Sequence, residues 1–243
     1  MKWDRTPLAP VLGRGSPDDV APSGWDRWRE VAWHVPRLLS GLGPLGPRGP
    51  EDGPPALVIP GFLATDRTTM DLRRALARAG WRAHPWLLGV NGGAKANTMD
   101  LIISRLDAIW DGRPILVVGW SLGGMFAREV AHRAPEKIRA VVTLGAPFSG
   151  DPRQNTVWKL YEFVAKHPVT DPPIPRITDK PPVPHLAIWS RRDGLIAPRA
   201  ARGLDHERDH EAELDCHHMA FGVSRSAARK VVQQINNFLK SLT

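Results

Sequence analysis

A serine, an aspartate and a histidine stand in this chain where turns would expose them. Together they could relay a proton. Residues 119–124 read Gly-Trp-Ser-Leu-Gly-Gly and directly follow the apolar run Ile115–Val118. The segment after them, Leu122 to Arg133, has the composition of a helix. A strand that turns sharply into a helix leaves Ser121 on a strained backbone at the tip. Gly119 and Gly123 remove side chains that would collide with that turn and with the neighbouring strand. A serine hydroxyl is a weak nucleophile alone and needs a base, itself oriented by a third group. Downstream, the apolar run His185–Trp189 ends in Ser190-Arg191-Arg192-Asp193-Gly194, a turn that puts Asp193 just past a strand's carboxyl end. His217 and His218 follow later, between a short strand-like piece and a helical pattern (Val231, Val232, Ile235, Phe238 and Leu239). Either imidazole could accept the Ser121 proton while Asp193 holds its other nitrogen.

The remaining requirement is a pair of donors for a developing oxyanion. Ala56-Leu57-Val58-Ile59 reads as a buried strand running into Pro60-Gly61-Phe62. The backbone N–H groups of Phe62 and of Leu122, the residue after the serine, are the expected donors. The elements that must position these groups alternate along the chain. Strands are expected near 56–60, 82–88, 115–119, 139–145, 185–190 and 211–215. Helices are expected near 67–79, 97–111, 122–134, 198–204 and 224–241. This alternation predicts an α/β fold, with a mostly parallel sheet of about six strands and helices on both faces.

On these residues the chain resembles the α/β-hydrolase superfamily, on its esterase/lipase side, from about Ala56 to the C-terminus. The resemblance rests on Ile59-Pro60-Gly61-Phe62, the Gly119–Gly124 turn, Leu144-Gly145-Ala146-Pro147-Phe148, Asp193 and His218-Met219. The His218-Met219 pair resembles the family's histidine loop and singles out His218 over His217. Leu88-Gly89-Val90-Asn91-Gly92-Gly93 is similar to a loop beside the active-site mouth of lipase-like members. The resemblance implies a Ser121–His218–Asp193 triad, an acyl-enzyme intermediate, and hydrolysis of a small apolar ester without a cofactor. Trp120, Phe148 and Asn91 are the expected substrate-binding residues. Residues 148–183, with Val157, Leu160, Tyr161 and Val164 at helical spacing between proline-rich flanks, occupy the family's usual lid position. The same nucleophile would also serve an acyltransferase, and a non-catalytic binding protein on this scaffold is the alternative from another class.

Composition bounds the rest. A chain of 243 residues with 42% apolar content can build one sizeable core. The division expected is an N-terminal arm, Trp-rich helix and Gly/Pro linker over 1–55, then a catalytic domain over 56–243. Trp25, Trp28 and Trp33 lie close together in that arm. Packing on the domain is the expectation, with membrane contact the lesser one. The net charge of +8 is spread among acids, so nucleic acid is not expected as a partner. Neither a secretory apolar segment nor a bilayer-length run is evident, so the expected compartment is cytoplasmic. The single cysteine, Cys216, fits a reducing environment. His206-Glu207-Arg208-Asp209-His210 matches the H-E-x-x-H zinc pattern literally, but its flanks carry no long apolar helical face. It reads as a charged loop, and no metal is expected.

Overall fold

Six short strands carry the apolar runs of the sequence. They are β1 (Pro55–Ile59), β2 (Arg82–Pro85), β3 (Ile115–Trp120), β4 (Ile138–Leu144), β5 (His185–Trp189) and β6 (His210–Glu213). The computed structural model describes residues 46–151, 158–174 and 177–242. The expectations for the N-terminal arm and the Trp-rich segment therefore lie outside the described residues. The sheet order is β2-β1-β3-β4-β5-β6, and every adjacent pair is parallel. All six carboxyl ends consequently face one edge, which is where open parallel sheets place their sites.

The helices are α1 (Met70–Arg78), α2 (Thr98–Ile109), α3 (Leu122–Arg133), α4 (Trp158–Ala165), α5 (Pro198–Arg202), α6 (Ala220–Val223) and α7 (Arg225–Ser241). Successive strand residues point to opposite faces, and both faces are covered. Val58, Val118, Val142 and Ile188 pack against Leu72 and Leu76 of α1 and against Val231, Ile235 and Phe238 of α7. Leu57, Val117 and Val141 pack on the other side against Ile102 and Leu106 of α2 and Phe126 and Val130 of α3. Among the described residues, no helix is long and apolar enough to cross a membrane.

Two details depart from the sequence expectations. β2 ends at Pro85 instead of reaching residue 88. The N–H groups of Trp86 and Leu87 leave the ladder and donate to the two carboxylate oxygens of Asp66, at 2.9 and 3.1 Å. Residues 46–54, read as part of a linker, are strapped along the sheet edge. Arg48 exchanges two backbone bonds with Ala83, while Arg82 and Arg113 donate to the carbonyls of Glu51, Asp52 and Gly53.

Away from the strands' carboxyl edge, α3 is tied to the end of the 148–183 insertion. The buried Arg128 guanidinium donates to the carbonyls of Thr178 (3.0 Å), Asp179 (2.8 Å) and Glu207 (2.8 Å), and reaches Nδ1 of His185 at 2.9 Å. A buried cation is tolerated when its donors are matched in this way. Burial first, then Arg128, holds the His185 imidazole well below its ordinary range. His84 on β2 is pushed down to about 4 by burial, with Arg105 and Arg82 adding to it.

Both imidazoles stay neutral in the fold but take up protons in the unfolded chain below about pH 6.5. Stability therefore falls as the pH drops from 6.5 towards 4. Asp66, whose carboxyl burial holds above the usual range, opposes this, while His132, lowered by burial, and Asp111, held low by Arg113, add to it. Chemical denaturation at a series of pH values should show this slope. His84→Gln should flatten it by less than about 1.4 kcal/mol per pH unit. An unchanged slope in that variant would contradict the role given to His84.

Candidate active site

β3 delivers Ser121 to the sheet's carboxyl edge, and α3 begins at the next residue. Ser121 sits at φ 53°, ψ −121°, a conformation that L-residues avoid and that neighbouring structure must enforce. The enforcement comes from close backbone packing. A Cβ on Gly123 would stand 2.4 Å from the Ile59 carbonyl oxygen and 2.6 Å from that of Pro60. One on Gly119 would stand 2.2 Å from the Gly123 carbonyl oxygen. Both glycines are thus required by contact, as the spacing predicted. The Ser121 N–H donates to the Leu144 carbonyl at 2.8 Å, which fastens the turn to β4.

Asp193 and His218 come together from beyond β5 and β6. Nδ1 of His218 lies 2.7 Å from Oδ2 of Asp193, and both side chains are buried. The second oxygen of Asp193 accepts the N–H groups of Leu195 and Ile196, at 2.9 and 2.8 Å, which fixes the carboxylate plane. Gly145 follows the residue that holds the Ser121 N–H. It is packed so closely on the pair that a Cβ there would lie 2.9 Å from Asp193 Oδ2 and 3.1 Å from His218 Nδ1. On the other side, the Trp120 ring lies 5.8 Å from the imidazole, centroid to centroid. The residue before Ser121 and the residue beyond its backbone partner therefore both abut the Asp193–His218 pair. His217 bonds through Nε2 to Arg192 at 3.2 Å.

The β1 loop bends over the same turn. A Cβ on Gly61 would be 3.2 Å from that of Ser121. Leu122 opens α3, so its N–H is among the first-turn donors that a helix leaves unpaired, at the positive end of the helix dipole. Phe62 is half-buried, and its ring lies 5.3 Å from Tyr161 on α4.

A family profile described as the alpha/beta hydrolase fold matches residues 97–171. An alpha/beta hydrolase enzyme from the metagenome of sediments from the lagoon of Mar Chica, Morocco, superposes with a TM-score of 0.56 at 17% identity, over 80% of this chain and 93% of that one. The monoacylglycerol lipase of Paleococcus ferrophilus gives 0.55 at 15% identity, over 77% and 96%. Naproxen esterase from Bacillus subtilis gives 0.52 at 12% identity, over 78% and 86%. No curated protein sequence matches the chain. The chain has the α/β-hydrolase fold.

Within this hydrolase fold, the three residues expected to bind substrate are buried against other protein groups. Trp120 is 2% exposed, with its ring wedged among Gly61, Gly222 and His218, so it supports the site from below. Phe148 is 1% exposed and lies under the Arg128 guanidinium, 4.5 Å from its ring centroid, and edge-on to His185. Its ring packs on the Arg128–His185 pairing. Asn91 is buried, and its amide donates to the Pro60 carbonyl at 2.8 Å while its own carbonyl side-chain oxygen accepts from Gly93. The Asn91 backbone adds bonds from the N–H of Leu63 (2.8 Å) and to the carbonyl of Ala64 (2.9 Å). Asn91 therefore clasps the β1 loop on both sides of Phe62.

The H-E-x-x-H match dissolves in the fold. His206 sits in a 3-10 turn (Asp205–Glu207), His210 begins β6, and the Glu207 carboxylate accepts the Leu204 N–H at 2.7 Å. Among the described residues, no group of three or more His, Cys, Asp or Glu side chains could hold a metal ion. Two supporting residues escaped the sequence reading. Asp66 carries no local signal, because its partners are backbone groups 20 and 21 residues away. Tyr161 was visible only as one apolar position of a short helix, although its hydroxyl accepts the Ala94 N–H at 3.3 Å.

Asn91→Asp keeps the side-chain size and the Gly93 bond but sets a carboxylate oxygen against the Pro60 carbonyl. The expected cost is about 1–3 kcal/mol of stability, read by denaturant unfolding. Hydrogen exchange at the Leu63 and Asn91 amides should accelerate selectively. Wild-type protection at both would show that the clasp does not depend on this amide.

Proposed function

We propose that the chain is a serine hydrolase that cleaves carboxylic esters. The observation that carries the reading is the buried 2.7 Å Asp193–His218 contact at the same carboxyl edge of the sheet as a serine held in a strained strand-to-helix turn. A structural ion pair has no use for such a turn, and the two occur together at one edge of the sheet.

In this reading Asp193 accepts the Nδ1–H of His218, which leaves Nε2 as the base. Nε2 takes the Ser121 proton as Oγ attacks the acyl carbonyl carbon. The carbonyl oxygen becomes an oxyanion, held by the N–H groups of Phe62 and Leu122 and by the positive end of α3. The tetrahedral intermediate collapses, the bond to the alkoxy oxygen breaks, and His218 returns its proton to the leaving alcohol. Water then attacks the acyl-enzyme, giving its proton to His218, and the acid is released as Ser121 regains its hydrogen. The Trp120 ring limits rotation of the imidazole throughout. Helix α4, seated through Tyr161 against Phe62 and the Ala94 backbone, serves as the wall or lid on the acyl side.

A series of p-nitrophenyl esters of increasing chain length tests this directly. The wild-type protein should turn over part of the series, and Ser121→Ala should abolish the turnover without lowering the melting temperature. Asp193→Asn should lower kcat by roughly 10³–10⁴-fold with little change in KM, because the imidazole loses its orienting acceptor. Equal turnover by wild type and Ser121→Ala would refute the assignment.

A further inference from the structure

The rim of the site carries apolar side chains where a soluble surface has least reason to hold them. Leu63, Leu87 and Val90 are 47%, 51% and 58% exposed. All three lie on two loops that leave the carboxyl ends of β1 and β2, on the same edge as Ser121. The loops are bonded together at both ends of the patch. Leu63 and Ala64 pair with Asn91, and the Asp66 carboxylate holds the Trp86 and Leu87 amides. The other exposed large apolar residues among those described (Leu101, Trp110, Leu204 and Leu242) lie outside these two loops.

Two of the three rim residues are also strained. Leu63 has φ 57° and Leu87 has φ 62°. This left-handed region suits glycine and asparagine and is disfavoured for leucine. A turn alone would be better served by either of those residues, so the strain is spent on presenting an apolar tip outward.

Charge on the two loops is mainly positive, and the nearest exposed acid is Asp100 in the first turn of α2. On the loops themselves the exposed charged residues are Arg67 and Lys95. Asp66 on the first loop is buried, and Asp71 on α1 is half-buried and paired with Arg74. Exposed Lys166 joins the rim from the end of α4, because Ala165 packs against Gly93. Apolar tips rimmed by cations match the chemistry of a bilayer whose headgroups are anionic.

We infer that the paired loops 61–67 and 86–95 form a docking surface for a membrane containing anionic phospholipid. The surface would bring the site's mouth against lipid-dissolved esters. That consequence rests on the ester-hydrolase reading, whereas the docking itself does not.

The test is sedimentation of the full chain with vesicles of phosphatidylcholine mixed with phosphatidylglycerol, and with vesicles of phosphatidylcholine alone. Wild-type protein and Ser121→Ala should bind the mixed vesicles equally and the neutral ones more weakly. The double variant Leu63→Asn/Leu87→Asn should lose roughly tenfold or more in partitioning. Its melting temperature should hold or rise, because asparagine accepts the left-handed backbone, and its turnover of a short soluble ester should persist. Lys95→Glu should weaken binding to the mixed vesicles only, as should raised salt. Unchanged partitioning of the double variant overturns the proposal, as does equal binding to both vesicle types. A double variant that changes oligomeric state without changing vesicle binding would assign the patch to a second copy of the chain, again against the proposal. Failure of the ester reading would appear separately, as variant-sensitive docking without turnover.

Discussion

Ser121 keeps its left-handed backbone because three stretches of main chain crowd it at once. The start of α3 is pressed on the carbonyls of Ile59 and Pro60 through Gly123. The strand before it is pressed on α3 through Gly119, and its own N–H is fixed to Leu144. None of these contacts has room for a single added methyl group. The turn thereby aligns three neighbouring strand ends, those of β1, β3 and β4, to within hydrogen-bond tolerance.

Everything else at the edge is hung on that alignment. The β1 end carries Gly61 and Phe62 over the serine, and the β4 end carries Gly145 onto the Asp193–His218 pair. Asn91 and Asp66 then hold the β1 and β2 loops to each other with buried bonds, so the loops behave as one body. A backbone group that helps at the site must be fixed by its neighbours, since it has no side chain of its own to lock. Asn91 does this for Phe62 from both sides. On the far side of α3, Arg128 performs the equivalent task for the returning chain at Thr178 and Asp179.

What was legible in the sequence was what local pattern determines. Apolar runs bounded by breakers gave all six strands to within a few residues, and the parallel order follows from helices between them. The Gly-x-Ser-x-Gly spacing was readable because steric exclusion acts within five consecutive residues. Asp193 and His218 were readable as types at strand ends, although their contact spans 25 residues. Illegible were the residues whose work is to hold another segment's backbone. The packing of Asn91 on the Pro60 carbonyl and of Phe148 on Arg128 was not readable, because a polar or aromatic residue near a turn can face either way. Asp66 and the Arg128–His185 pairing left no trace, since their partners are remote carbonyls, amides and rings that any sequence supplies. The apolar rim was hidden for a related reason, because a leucine's exposure depends on which loop closes over it.

Under the proposed mechanism, His218, oriented by Asp193, makes the Ser121 hydroxyl nucleophilic. The most direct measurement is the rate of covalent modification by a fluorophosphonate, followed by intact-protein and peptide mass spectrometry. A single adduct is expected on Ser121, absent in Ser121→Ala and slowed by orders of magnitude in both His218→Ala and Asp193→Asn. A Ser121 adduct forming at the wild-type rate without His218, or no adduct at Ser121 in the folded protein, would contradict that mechanism.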